Sequence, residues 1–141
     1  MTKMILTFSI GVEHGYPAEH RAKALHNEKL LNEYGLAEGG FAGWAITILF
    51  YSALHWFRAL AAQEGVQIMS YTGRTDSEKW ALDNVRLFAD SPRPFDWYRE
   101  LKDESRAARY EMKQYFAANY HDLRENLYEP FKSFVISHLH P

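Results

Sequence analysis

Residues 41–63 govern the architecture of this chain, and they read FAGWAITILFYSALHWFRALAAQ. A helix built from this stretch is apolar on nearly every side, which is typical of the central helix of a bundle. The run approaches the roughly 20 apolar residues that cross a bilayer, but it contains His55 and Arg58. We therefore predict a buried helix in a cytoplasmic protein that does not enter a membrane.

Further helices are predicted on both sides of this one. Pro17 suits a first helical residue, and Gly35 ends the run of helix formers that follows it. Thr75 and Glu78 form a capping-box pattern, which predicts a third helix to about residue 88. A fourth helix should follow the stretch 91–94, whose prolines predict a stiff connection. Asn119 followed by Asp122 is a second capping signal, so a fifth helix should run over about residues 120–139, and Pro130 should kink or split it.

These elements predict an all-α fold, a five-helix up-and-down bundle over residues 17–141. Residues 1–16 form a separate extended arm in this interpretation, because Leu6, Phe8, Ile10 and Val12 alternate with small or polar residues. No second strand pattern occurs to pair with the arm, so the alternatives are a strand that pairs across a dimer and a disordered segment.

Composition excludes several classes of protein. The 141 residues include no cysteine, so disulfide scaffolds, cysteine-ligated metal sites and thiol nucleophiles are ruled out. A net charge of −2 argues against coating nucleic acid by charge alone. The chain has no Glu-x-x-His pair, no Gly-x-Ser-x-Gly and no glycine-rich phosphate loop. We predict no metal and no cofactor.

A line of polar residues follows one face of the second predicted helix: Thr47, Tyr51, His55 and Arg58. Buried polar groups need hydrogen-bond partners. In one interpretation, Tyr51 and His55 are satisfied in the core while Arg58 reaches the surface. In the other, the line forms a polar pocket beside the fourth helix. A different face carries Ala45, Ser52 and Ala59, where another helix can approach closely.

The fourth predicted helix carries a basic stripe. The spacing predicts that four of its residues face the core: Leu101, Ser105, Ala108 and Met112. In that orientation, five cations lie in a row beside them: Arg99, Lys102, Arg106, Arg109 and Lys113. Like charges at this spacing oppose helix formation by about 0.2–0.5 kcal/mol per pair. Either acids of the last helix (Asp122, Glu125, Glu129) offset this repulsion, or RNA phosphates or an acidic partner do so, with Tyr110 as a stacking surface.

Two segments together resemble the HEPN superfamily (higher eukaryotes and prokaryotes nucleotide-binding domains), in its small stand-alone bacterial branch. They are FYSALHWFRA at residues 50–59 and YRELKDESRAARY at 98–110, and the resemblance covers about residues 17–139. It implies a helical homodimer, a metal-independent ribonuclease of a toxin–antitoxin or defence system, and a nucleotidyltransferase-type protein partner.

The family's cutting motif is an Arg followed by a His after four to six residues. Arg106 and Arg109 occupy the corresponding region without such a His, and the spacing occurs only at Arg21 and His26. Two positions five apart on a helix point about 140° away from each other.

The resemblance suggests site roles. If His55 is accessible to solvent, it is the general acid or base for RNA cleavage, while Arg106 and Arg109 stabilise charge on the phosphorane. RNA or a nucleotide would be bound by the rest of the set: Arg99, Lys102, Lys113, Tyr110 and Tyr51. The alternatives are a non-catalytic binding module, which needs only an exposed stripe, and a structural domain, which would bury the stripe against the last helix.

Overall fold

The computed structural model describes residues 16–65, 86–90, 92–111 and 113–140. These ranges hold five helices and no strand, which confirms the predicted all-α bundle. The first four helices are α1 (Pro17–Tyr34), α2 (Ala42–Gln63), α3 (Arg86–Asp90) and α4 (Pro92–Tyr110). The bent α5 consists of Ala117–Leu123, a π-helical segment Arg124–Tyr128, and Glu129–His138. The predicted arm, except Tyr16, and the capping pattern at Thr75 and Glu78 lie outside the described residues.

Local signals set the ends of α1 and α2 as predicted. Pro17 is the first residue of α1, and Gly35 ends it in the left-handed conformation with φ of 55°. Helix α2 ends at Gln63, and Gly65 follows with φ of 79° and an N–H that donates to the Ala62 carbonyl. Glycine adopts positive φ without the steric penalty of a Cβ atom, so it stops a helix efficiently.

The predicted start of α4 is wrong by a few residues. The helix begins at Pro92 and includes Pro94, whereas the sequence predicted that both prolines precede it. The first four N–H groups of a helix have no acceptor within the helix, so prolines in the first turn lose no hydrogen bond there.

The start of α5 also differs from the prediction. Asn119 is the third residue of the helix, not the cap, and its Oδ1 accepts a hydrogen bond from the Phe116 N–H at 2.8 Å. The expected disturbance at Pro130 is confirmed, since the π-helical segment immediately precedes Glu129 and Pro130. A proline clashes with the carbonyl four residues before it, and a wider turn is one way to relieve this clash.

Helix α2 lies at the centre of the bundle and contacts α1, α4 and all three parts of α5. It is long and apolar enough to cross a membrane, but 94% of its most apolar window is buried inside the protein. The core helix of a bundle can be as long and as apolar as a membrane span.

An aromatic cluster joins four of the helices on one side of α2. The Phe57 ring lies 5.1 Å from that of Phe88 in α3 and 4.9 Å from that of Tyr98 in α4. Phe131 of α5 completes the cluster, with its ring 5.6 Å from that of Tyr98. All four rings are almost fully buried, and aromatic pairs at these separations add stability beyond the area they bury.

Candidate functional site: an arginine and aromatic groove between α2 and α4

Two members of the polar line of α2, Tyr51 and His55, contact neighbouring helices. Tyr51 accepts a hydrogen bond from Arg109 Nη1 of α4 at 2.8 Å. His55 contacts His20 of α1, and Thr47 donates to the Gly43 carbonyl of its own helix at 2.9 Å. Arg58 does not reach the surface as one interpretation predicted, because only 7% of it is exposed.

His20 and His55 form a buried pair that sequence spacing along α1 did not reveal. Their Nδ1 atoms are 3.3 Å apart and their rings stack with centroids separated by 5.5 Å. In a hydrogen bond between these two atoms, one Nδ1 donates and the other accepts. The two Nδ1 atoms therefore cannot both carry a proton in this arrangement. Burial and the positive charges of Arg58 and Lys23 lower the pKa of His20 to about 4.

The ring of His55 is completely buried. The predicted role of general acid or base requires an accessible ring, so His55 in this conformation cannot exchange a proton with RNA. Arg21 and His26 are both exposed on the continuous helix α1, where their spacing directs them about 140° apart.

Four of the five cations of the basic stripe lie on α4, whereas Lys113, predicted on the same helix, follows the end of α4 at Tyr110. Arg99, Arg106 and Lys113 are exposed, and Lys102 and Arg109 are partly buried. Leu101 and Ser105 are buried as predicted. The next predicted core position, Ala108, is only half-buried, and Ala107 is buried instead. Met112 lies outside the described residues.

The acids paired with Arg99 and Lys113 belong to α4 itself. Asp96 bonds Arg99 at 3.3 Å, and Glu104 bonds Lys113 at 3.3 Å. Two of the three predicted acids of α5 have other partners, since Glu129 bonds Arg124 at 3.2 Å and Asp122 accepts from Asn126 at 2.7 Å. Arg106 makes no ion pair within the described part of the chain. Arg106, in the carboxyl-terminal half of the stripe, is therefore open to an anionic ligand.

A groove of about 460 Å³ opens at this end of the stripe, between the start of α2 and the end of α4. We call it the α2/α4 groove. Its lining residues come from both helices and from the two residues before α2: Gly40, Phe41, Gly43, Trp44, Thr47, Ala108, Arg109 and Tyr110. Three of them are aromatic side chains exposed to solvent, namely Phe41 (55%), Trp44 (57%) and Tyr110 (73%).

Arg109 is held in place between two tyrosines. Its guanidinium carbon lies 5.5 Å from the centre of the Tyr51 ring and 5.0 Å from that of Tyr110. Its Nε donates to the Ser105 carbonyl at 3.3 Å, in addition to the bond from Nη1 to Tyr51. A side chain fixed in this way loses little freedom when it binds a ligand.

The sequence predicted Arg109, Tyr110 and Tyr51 for this place but missed Phe41 and Trp44. Both were assigned to a helix expected to be buried throughout. Gly39 and Gly40, just before them, were the available signal for this exposure. A loop at two glycines leaves the first turn of the helix that follows it open to solvent.

A second polar network, which the sequence did not reveal, fixes α1 and α5 on α2. The Tyr128 hydroxyl donates to Glu28 Oε2, accepts from Trp56 Nε1 at 3.0 Å and lies 2.7 Å from Ser52 Oγ. Lys132 Nζ donates to Glu28 Oε1 at 2.8 Å. Ser52 Oγ also lies 2.8 Å from the Ala24 carbonyl, which confirms the predicted close approach of a helix at this face.

Fold and groove together define a small all-α bundle with a cationic and aromatic groove on its surface. No protein-family model, no curated protein and no solved structure matches the chain.

Proposed function

We propose that this protein is a HEPN-like domain that binds RNA or nucleotides through the carboxyl-terminal half of α4, without cleaving them. The observation that carries this proposal is that the basic stripe remains at the surface. A purely structural bundle would place the stripe against the carboxylates of α5, and two of the three predicted there, Asp122 and Glu129, have partners elsewhere.

Electrostatics favours an anionic ligand at this end of α4. Arg106 projects from the surface without an ion pair among the described residues, and Arg109 follows one turn later beside the groove. Phosphate groups contribute most of the affinity in many protein–nucleic acid complexes, and cations at helical spacing suit a phosphate backbone. Tyr110, one residue further on, offers a face for stacking.

Burial of His55 favours binding over cleavage. Metal-independent cleavage of RNA needs a group that accepts a proton from the 2′-hydroxyl. The sequence assigned this role to His55, which the bundle encloses completely. The arginines alone stabilise negative charge but do not transfer protons, because they stay protonated in proteins.

The test is the affinity for a labelled single-stranded RNA, measured by fluorescence anisotropy over a series of salt concentrations. Arg106→Ala should weaken binding and lower the slope of log affinity against log salt by about 0.7, the value for one phosphate contact to a single strand. Lys29→Ala is the matched control, because Lys29 is an exposed cation on α1 whose side chain is 70% accessible.

Equal losses in the two variants, or no binding by the unaltered protein at low salt, would contradict the proposal. Incubation of the same RNA with the protein in EDTA tests the claim that the RNA is not cleaved. Cleavage that survives chelation and disappears with Arg106→Ala would make the protein a ribonuclease.

A further inference from the structure

We propose that the α2/α4 groove takes one unpaired nucleobase of single-stranded RNA. This inference rests on the proposed function and specifies the ligand of the same surface. Its basis is that three exposed aromatic side chains and one fixed arginine converge on a single cavity.

The first step concerns the aromatic side chains. Large apolar side chains exposed singly need no explanation, but Phe41, Trp44 and Tyr110 come from two helices and line the same groove. Each leaves more than half of its surface open to solvent. Flat rings that surround a cavity suit a flat ligand, and every nucleobase has a face that stacks on aromatic side chains.

The second step concerns charge. None of the residues that line the groove is acidic, and the one charged residue among them in the described chain is Arg109. An aliphatic ligand would gain little from this guanidinium, whereas a nucleotide gains from it through its phosphate and through stacking of the base. The exposed Arg106 lies along the same stripe, so a strand whose base enters the groove can place its backbone along α4.

The third step concerns whether the RNA is single-stranded or a duplex. Within a duplex, neighbouring base pairs cover both faces of each base, so the rings of the groove cannot reach them. Sequence-tolerant recognition through aromatic faces is therefore a property of unpaired strands. A volume of about 460 Å³ is in the range of small-molecule sites and leaves room for one base with part of its sugar.

The experiment compares two probes, a single-stranded oligoribonucleotide and an abasic oligomer with the same sugar-phosphate backbone. Stacking of one base contributes about 1–3 kcal/mol, so the abasic oligomer should bind about 5- to 150-fold more weakly. Tyr110→Ala should remove most of this difference, because it should weaken binding of the base-containing RNA far more than binding of the abasic oligomer. Phe116→Ala is the matched control, because Phe116 is 63% exposed but lies outside the groove.

Arg109→Lys provides a second, independent variant. Lysine retains the charge but lacks the planar fork that bonds Tyr51 and stacks on rings, so the abasic oligomer should lose less affinity than the base-containing RNA. Affinity for the base-containing RNA should fall. Circular dichroism of each variant checks that the bundle is intact.

The outcomes separate the two proposals. If the abasic oligomer binds as tightly as the RNA and Arg106→Ala weakens both, the groove does not hold a base but α4 still binds the backbone. If neither oligomer binds, both proposals fail. If a duplex of the same sequence binds as tightly as the single strand, recognition of an unpaired base is refuted.

Discussion

Removing the hydroxyl of Tyr128 should destabilise the protein far more than removing any exposed tyrosine hydroxyl. This hydroxyl is fully buried and bonds three side chains, Glu28, Ser52 and Trp56. In Tyr128→Phe, Ser52 retains the Ala24 carbonyl and Glu28 retains Lys132. The indole N–H of Trp56 loses the hydrogen-bond partner that it has among the described residues.

The size of the effect follows from these partners. A buried donor without an acceptor costs about 1–3 kcal/mol, and loss of a hydrogen bond to a charged group costs about 1.5–3 kcal/mol. Partial relaxation lowers the sum, so we expect the free energy of unfolding to fall by about 2–5 kcal/mol. This is a large fraction of the roughly 5–15 kcal/mol that stabilises a domain.

Urea unfolding followed by circular dichroism measures this loss, provided that the slope against urea is the same for both proteins. Tyr110→Phe is the matched control, because its hydroxyl is on a side chain that is 73% exposed. It should change the unfolding free energy by less than about 0.5 kcal/mol. A Tyr128→Phe variant as stable as this control would refute the buried network.

Three further predictions concern α1 and α4. His20, whose pKa is lowered to about 4 by burial and by Arg58 and Lys23, should stay neutral in an NMR titration until well below pH 6.5. The unfolded chain takes up that proton first, so stability should fall by at most about 3 kcal/mol as pH drops from about 6.5 to 4; a His20 midpoint near 6.5 would contradict this. Gly35→Ala should destabilise by about 1 kcal/mol in thermal unfolding, because φ at this position is 55°, and an unchanged melting temperature would argue against the left-handed cap. Ser105→Ala should raise the free energy of unfolding, measured by urea denaturation, by about 1 kcal/mol, because the buried hydroxyl of Ser105 has no hydrogen-bond partner among the described residues. A destabilised variant would reveal a partner for this hydroxyl.

Local sequence signals predicted most of the fold because the forces behind them are local. Pro17 and Gly35 fix the ends of α1 through φ alone, and both positions were predicted to the residue. Pro92 was misjudged for an equally local reason: prolines break a helix only after its first turn. The sequence predicted that Pro130 disturbs the helix, but it did not predict that the disturbance is a π-helical segment.

The candidate site was harder to predict because its residues meet across helices. Arg109 and Tyr110 came from the charge pattern of α4, and Tyr51 came from the polar line of α2. The pairing of Tyr51 with Arg109 depends on the rotation of the two helices about their axes, and no periodicity within either helix sets this. The partner of His55 proved to be His20 of α1, so the polar line divides between two neighbours instead of forming one pocket.

This division lets α2 hold the bundle together and support the groove at the same time. Tyr51 and Ser52 are adjacent in sequence, so their side chains leave the helix about 100° apart. Ser52 faces α1 and the Tyr128 network, while Tyr51 faces α4 and holds Arg109. Because Tyr51 is only 5% exposed on the most buried helix, the bundle itself positions the guanidinium, and a bound strand does not have to order it.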